Sequence, residues 1–351
     1  MWTTMKRAAV AVMTLGATVA LADVKLAGGG ASFPNPLYQR WVTEYQKSHP
    51  DVKIDYQSIG SGGGIKGITD KTFDFAGSDA PMTKKEIDAA KEPIVHIPTV
   101  AGSVVIAYNL PGLSGELKLT GPIVADIYLG KISKWNDAKI TAVNAGLQLP
   151  DLAITPAWRT DGSGTTFVFT NYLATQSEQF VSTIGASKQV KWPSGQGGKG
   201  SEGVAAVVQQ TKGAIGYIEL NYASANHIPF AQLQNHSGKF VKASPATVAA
   251  AGEGALSKMD KSLAVEIWNQ SGDEAYPISA FTYIIVYKDL GYLKSPEKAK
   301  ALVEFLTWAT AQGQQFAGDM DYAPLSAGVQ KKVAAAIKSL TWEGRALAAN
   351  R

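Results

Sequence analysis

The chain has 351 residues, 45% of them hydrophobic, with four histidines, no cysteine and a formal charge of +4. That length allows two cores of ordinary domain size, and the missing cysteine excludes disulfides, a lipid-modified N-terminal cysteine and thiolate metal sites. So small a charge, with no arginine-rich stripe among aromatics, argues against nucleic acid as partner, and His49, His96, His227 and His236 lack metal-ligand spacing.

Residues 1–22 carry Lys6 and Arg7, then an uncharged apolar stretch over 8–22 ending in Ala20-Leu21-Ala22. This is the pattern of a secretory signal peptide, so the mature chain is expected to begin at Asp23. A spanning anchor needs roughly 20 apolar residues, more than this stretch or any later one offers. Cleavage removes two cations and no acid, taking the charge from +4 to +2 (4 − 2). A free extracytoplasmic protein is expected.

Leu37, Trp41, Val42 and Tyr45 form a helical stripe over 37–46, and 52–56 alternates as a strand. Glycines at 60 and 62–64 break that strand before a short helix expected from Ile65, and 73–78 reads as the next strand, ending at Asp79. Thr83 and Glu86 have capping-box spacing. Residues 103–108 are strand-like, and helices are expected over 123–129, 166–173 and 204–210, with a strand at 214–218. The strongest late strand is 276–287, followed by helices at 297–311 and 329–340. Alternating strands and helices imply an α/β fold with a parallel sheet, whose ligands bind beyond the carboxyl ends of the strands. We expect a discontinuous first lobe, 23–103 plus 276–351, with a second lobe, 104–275, inserted into it and the ligand cleft between them.

Residues 159–165, Arg-Thr-Asp-Gly-Ser-Gly-Thr, precede an apolar helical run. The first N–H groups of a helix lack partners within it and sit at the positive end of its dipole, so a tetrahedral oxyanion can accept from them. Arg159 adds a planar fork suited to two oxygens at once. Ser32 and Ser61 open two other helices in similar turns, and Asp79 also sits past a strand end. Each hydroxyl alone is equally explained by capping or turn chemistry. Together they outline a small-anion site.

Four segments carry a resemblance: Gly-Ala-Ser-Phe-Pro at 30–34, Tyr-Gln-Ser-Ile-Gly-Ser-Gly-Gly-Gly at 56–64, Phe-Ala-Gly-Ser-Asp-Ala-Pro at 75–81, and 159–165. In this order the chain resembles the periplasmic phosphate-binding proteins of ABC phosphate uptake systems. Similarity continues through Ile127-Tyr-Leu-Gly-Lys-Ile, Lys191-Trp-Pro, Gly197-Gly-Lys-Gly, Gly213-Ala-Ile-Gly-Tyr and Asp321-Tyr-Ala, covering essentially 26–340. The resemblance implies a two-lobed type II periplasmic binding protein fold. Phosphate contacts are implied at Ala31, Ser32 and the Phe33 backbone, Ser61, Asp79, Arg159, Ser163, Gly164 and Thr165, with Asp161 orienting Arg159. The chain departs from the family where Ser32 replaces a common threonine and Gly62 a common second serine. A periplasmic monomer that delivers inorganic phosphate to an inner-membrane permease, without cofactor, metal or catalysis, is implied.

Asp79 is expected to choose the ligand, since phosphate has a proton to share with a buried carboxylate and sulfate has none. Sulfate or molybdate binding, phosphate-ester hydrolysis, and an adhesion or sensing role are the competing classes. Against an enzyme, Gly195-x-Gly197-x-x-Gly200 follows Lys191-Trp-Pro193 instead of a strand. Ser163 also lacks the Gly-x-Ser-x-Gly elbow, having Asp161 two residues before it.

Overall fold

The computed structural model describes residues 23–260 and 262–347, so the expected leader at 1–22 lies outside the described residues. The first half of the chain runs β1 (Val24–Gly30), α1 (Asn35–Ser48), β2 (Val52–Ser58), α2 (Ser61–Thr69), β3 (Phe75–Ser78), α3 (Lys84–Ala90) and β4 (Ile94–Tyr108). Next come β5 (Lys118–Leu119), α4 (Gly121–Tyr128), α5 (Ala138–Ala142), β6 (Thr155–Arg159), α6 (Gly164–Ala174), α7 (Glu178–Thr183), β7 (Gln196–Gly198), α8 (Gly200–Gln210), β8 (Ala214–Glu219) and α9 (Leu220–Ala225). The chain then forms β9 (Gln232–Gln234), β10 (Phe240–Val241), α10 (Pro245–Gly252), α11 (Ala255–Lys258), β11 (Ser279–Tyr287), α12 (Pro296–Ala309) and α13 (Ala327–Lys338). A two-stranded hairpin of β12 (Thr341–Trp342) and β13 (Arg345–Ala346) closes the described chain.

One eight-stranded sheet, ordered β2-β1-β3-β11-β4-β8-β6-β7, runs through the molecule, and β5, β9 and β10 make a separate three-stranded sheet. β4 is the shared element. Its residues 94–103 pair with β11, and its residues 104–108 pair with β8. Both stretches are almost wholly buried, which suits the run of Val, Ile and Ala.

The all-parallel sheet expected from alternation is corrected by the pairing. β1 runs parallel to β2 and β3, and β6 to β7 and β8, but β11 is antiparallel to both β3 and β4, and β4 is antiparallel to β8. The reason is connectivity. β4 carries the chain out of the first half and β11 brings it back, so adjacent outbound and inbound strands must oppose each other. The 103–108 strand is the second part of 15-residue β4, a continuity that Pro98 and Gly102 obscure.

The expected helix from Ile65 begins instead at Ser61. Gly60, at φ +84°, makes the turn that an L side chain resists, and the glycines that follow form the first helical turn. This helix lies directly on the sheet. A methyl group on Gly64 would stand 2.7 Å from Gly30 Cα and 2.8 Å from the Gly29 and Gly77 carbonyl oxygens. The capping box is present, Thr83 Oγ1 accepting from the Glu86 N–H while Glu86 takes the Thr83 N–H.

Overpacking of this kind costs about 1–3 kcal/mol, so Gly64→Ala is expected to lower stability by that amount in urea denaturation. An unchanged midpoint would show that α2 has room to lift off the sheet.

Candidate functional site

Strand ends and helix starts converge at one buried point. Ser32 follows β1, Asp79 follows β3, Arg159 ends β6, and Ser61 and Gly164 open α2 and α6. All of Ser32, Ser61, Asp79, Arg159, Ser163 and Thr165 are buried. Arg159 Nη1 donates to Thr165 Oγ1 at 3.1 Å and to Ser201 Oγ at 3.0 Å. Ser201 Oγ lies 2.9 Å from Ser32 Oγ, linking α8 to the turn after β1. Ser61 Oγ accepts from the Gly164 N–H at 3.1 Å and from the Asp79 N–H at 3.3 Å, and donates to Asp79 Oδ2 at 3.4 Å.

The Arg159 charge is held by a two-point fork. Nε donates to Asp161 Oδ1 at 2.8 Å and Nη2 to Asp161 Oδ2 at 2.5 Å. Asp161 Oδ1 also accepts from the Gly200 N–H at 3.0 Å, so the pair is anchored to the start of α8. Burial opposes the guanidinium charge, and Asp161 outweighs it, holding Arg159 above its ordinary value. Burial likewise works against the Asp161 charge, but Arg159 holds that carboxyl below the usual range. Asp161 thus holds the guanidinium plane at two points.

Asp79 is set differently. Burial, and then the neighbouring Glu219 charge, push its carboxyl up to about 8 against the opposing pull of a Thr282 hydrogen bond at 2.8 Å. Glu219 is also raised, again by burial first. Thr165 Oγ1 meets Glu219 Oε1 at 2.5 Å. One guanidinium therefore shares a buried space with Asp79, Glu219 and Asp161, of which Asp161 alone is held below its ordinary range.

The structure treats the expected contacts unequally. Ser163 is the N-cap of α6, its Oγ accepting from the Thr166 N–H at 3.0 Å, which leaves its own proton to donate. Gly164 needs to be glycine, because a methyl there would collide with Asp79 Oδ2 and Ser61 Oγ. Among the described residues the N–H groups of Ser32, Phe33 and Thr165 have no acceptor. Ala31 is different. Its N–H donates to the Gly77 carbonyl at 2.9 Å and its carbonyl accepts from Tyr56 at 2.8 Å, so it supports the loop and has no backbone group left for a ligand.

Ser201, Glu219 and Thr282 were not anticipated. Glu219 ends β8, and the rule that ligands gather at strand ends applies to it as it does to Arg159. Ser201 follows the Gly197-Gly-Lys-Gly segment, whose glycines permit the close approach of α8 to Asp161. Thr282 lies inside β11 and has no sequence signal. Among the described residues no group of three or more His, Cys, Asp or Glu could hold a metal. No described helix is long and apolar enough to cross a membrane. Chemically, the site offers hydroxyls, N–H groups and one oriented guanidinium to a small anion, with a protonatable carboxyl on one side.

Comparison with known proteins gives a consistent answer. A model of the PBP superfamily domain matches residues 16–312. The phosphate-binding protein PstS of Pasteurella multocida is 44% identical over 315 residues, 90% of each chain. That of Haemophilus influenzae is 42% identical over 326 residues, covering 93% of this chain and 96% of its own. Among solved structures, the phosphate-binding protein from Stenotrophomonas maltophilia aligns with a TM-score of 0.68 at 21% identity, covering 89% of this chain and 94% of that one. The fold is thus the two-lobed α/β fold of periplasmic binding proteins, and the chain belongs to the PstS family of phosphate-binding proteins.

Proposed function

We propose that this protein captures inorganic phosphate outside the cytoplasm and delivers it to an ABC permease in the inner membrane, acting as a monomeric receptor and not as an enzyme. The carrying observation is the buried convergence of Arg159, Asp79, Ser32, Ser61 and the start of α6 on one point. The names of the 42–44% identical relatives support the same ligand. Phosphate is held by Ser32 and the Phe33 N–H, Ser61, Asp79, Arg159, Ser163, Gly164 and Thr165. Gly164, whose N–H is directed at Ser61 here, takes part once that hydroxyl turns to the ligand. Charge-assisted hydrogen bonds contribute about 1.5–3 kcal/mol each, and a micromolar complex needs about 8 kcal/mol, so several suffice after desolvation is charged against them.

The lobes of this reading are 23–103 plus 276–351 and 104–275. The change of partner along β4, from β11 up to Ser103 to β8 from Val104, supports the first boundary. Several polar contacts join the two: Ser32 to Ser201, Ser61 to Gly164, the Gly62 N–H to the Gly162 carbonyl at 2.8 Å, and Lys188 Nζ to Glu86 Oε1 at 2.5 Å. Opening the cleft separates them and readmits water.

Selectivity then depends on where the shared proton comes from. In the closed cleft Asp79 favours its protonated form, and phosphate brings the proton with it. Sulfate must draw one from water onto a carboxyl that is ordinary while the cleft is open. At pH 7 this costs about 4 kcal/mol, roughly a thousandfold in affinity.

Calorimetric titration tests this. Sulfate affinity is expected to rise about tenfold more per unit of falling pH than phosphate affinity, and Asp79→Asn, whose amide donates, to admit sulfate at neutral pH while weakening phosphate. Parallel pH profiles, or an Asp79→Asn variant that still excludes sulfate, would remove Asp79 as the filter. The Lys188–Glu86 pair has side chains that are 16% and 27% exposed. A partly shielded pair is worth about 1 kcal/mol, so Lys188→Met is expected to speed phosphate release about fivefold in stopped-flow displacement, leaving capture nearly unchanged. An unaltered release rate would show that the pair does not latch the cleft.

A further inference from the structure

Glu219 sits in the heart of the site with a role still unassigned. It is 1% exposed, its Oε1 lies 2.5 Å from Thr165 Oγ1, and its Oε2 has no hydrogen-bond partner among the described residues. An ionised carboxylate sealed in protein with one oxygen unpartnered is costly, whereas a protonated carboxyl needs fewer partners.

The hydroxyl of Thr165 sharpens the point. It has one proton and two lone pairs. One lone pair already accepts from Arg159 Nη1. If Glu219 is ionised, the proton of Thr165 goes to Glu219, and the hydroxyl can offer an anion only its remaining lone pair, which repels. If Glu219 carries a proton, Glu219 donates across the same 2.5 Å contact, and the Thr165 proton is released toward the ligand. The heavy-atom geometry serves both polarities.

We infer that Glu219 sets the polarity of Thr165, and that phosphate binding is accompanied by uptake of a proton onto Glu219, which turns Thr165 from a donor to the protein into a donor to the ligand. This rests on the phosphate reading above, in which Thr165 is a contact. The step balances: one proton moves from solvent to a Glu219 carboxyl oxygen, and Thr165 exchanges one acceptor for another. The groups facing Glu219 are Arg159 from β6, Asp79 beyond β3, Ser201 and Thr165 from the starts of α8 and α6, Tyr222 from α9, and Tyr322. Arg159 opposes proton uptake, while burial favours it. Glu219 is a positioning residue in this scheme, since it acts through Thr165. The coupling also runs back to Asp79, because neutralising Glu219 removes a repulsion that raises the Asp79 carboxyl.

The test is proton counting during phosphate titration, by calorimetry in buffers of different ionisation enthalpy, on the wild type and Glu219→Gln. The amide can donate to Thr165 Oγ1 permanently, as the acid does. The variant is expected to bind phosphate within tenfold of the wild type while taking up about one proton fewer per phosphate at and above neutral pH. Should Glu219→Gln not fold, the carboxyl carbon-13 signal of Glu219 in the wild type serves instead, with a shift to the protonated position expected on adding phosphate. Equal proton counts in the two proteins, or a Glu219 signal that phosphate does not move, would overturn the inference while leaving the phosphate reading intact. A wild type that binds no phosphate would overturn the reading itself.

Discussion

A single positive charge sealed inside the protein organises the site. Arg159 is almost entirely removed from water, and a lone buried guanidinium is prohibitively expensive without a partner. Asp161, two residues on, supplies that partner in fork geometry and leaves Nη1 free to reach Thr165 and Ser201. The pair is close to neutral, so the remaining field in the cavity is decided by Asp79 and Glu219. Their protonation, not a surplus of arginines, determines how much negative charge the space tolerates.

The hydroxyls are arranged around this balance. Ser61 joins the start of α6 to Asp79, and Ser201 joins Arg159 to Ser32, so elements from both halves of the sheet close on the same few atoms. The hydroxyl members of these links can exchange acceptors. A site built this way adjusts to an anion by rotating protons, with little movement of heavy atoms.

Much of this was legible in the chain. Arg159, Asp161, Ser163 and Gly164 are neighbours in sequence, and the turn that joins them states its purpose through Gly-Ser-Gly. Ser32, Ser61 and Asp79 stand just past strand ends, where local pattern and family likeness agree. Glu219 and Ser201 escaped because their partners are remote. Thr165 is 54 residues before Glu219, and Arg159 is 42 residues before Ser201, with no local pattern to connect them. Sequence position placed Ala31 in the loop but could not show that Gly77 and Tyr56 occupy both its backbone groups. The antiparallel return of β11 was hidden in the same way, since strand direction depends on where a chain has come from and not on its composition.

That return strand has a consequence for how the molecule is made. β11 lies between β3 and β4, filling the gap at the centre of the sheet, and its Thr282 supplies the hydrogen bond to Asp79 from 203 residues away. Until that late segment arrives, facing edges of β3 and β4 carry unpaired backbone groups in what will become the driest part of the protein. The first half can collapse early but cannot finish its sheet, and the anion site cannot acquire its Asp79 geometry, until most of the chain is present. Synthesis order and ligand competence are thereby coupled: a truncated or stalled chain ending before residue 279 has an open seam where the finished protein has its core.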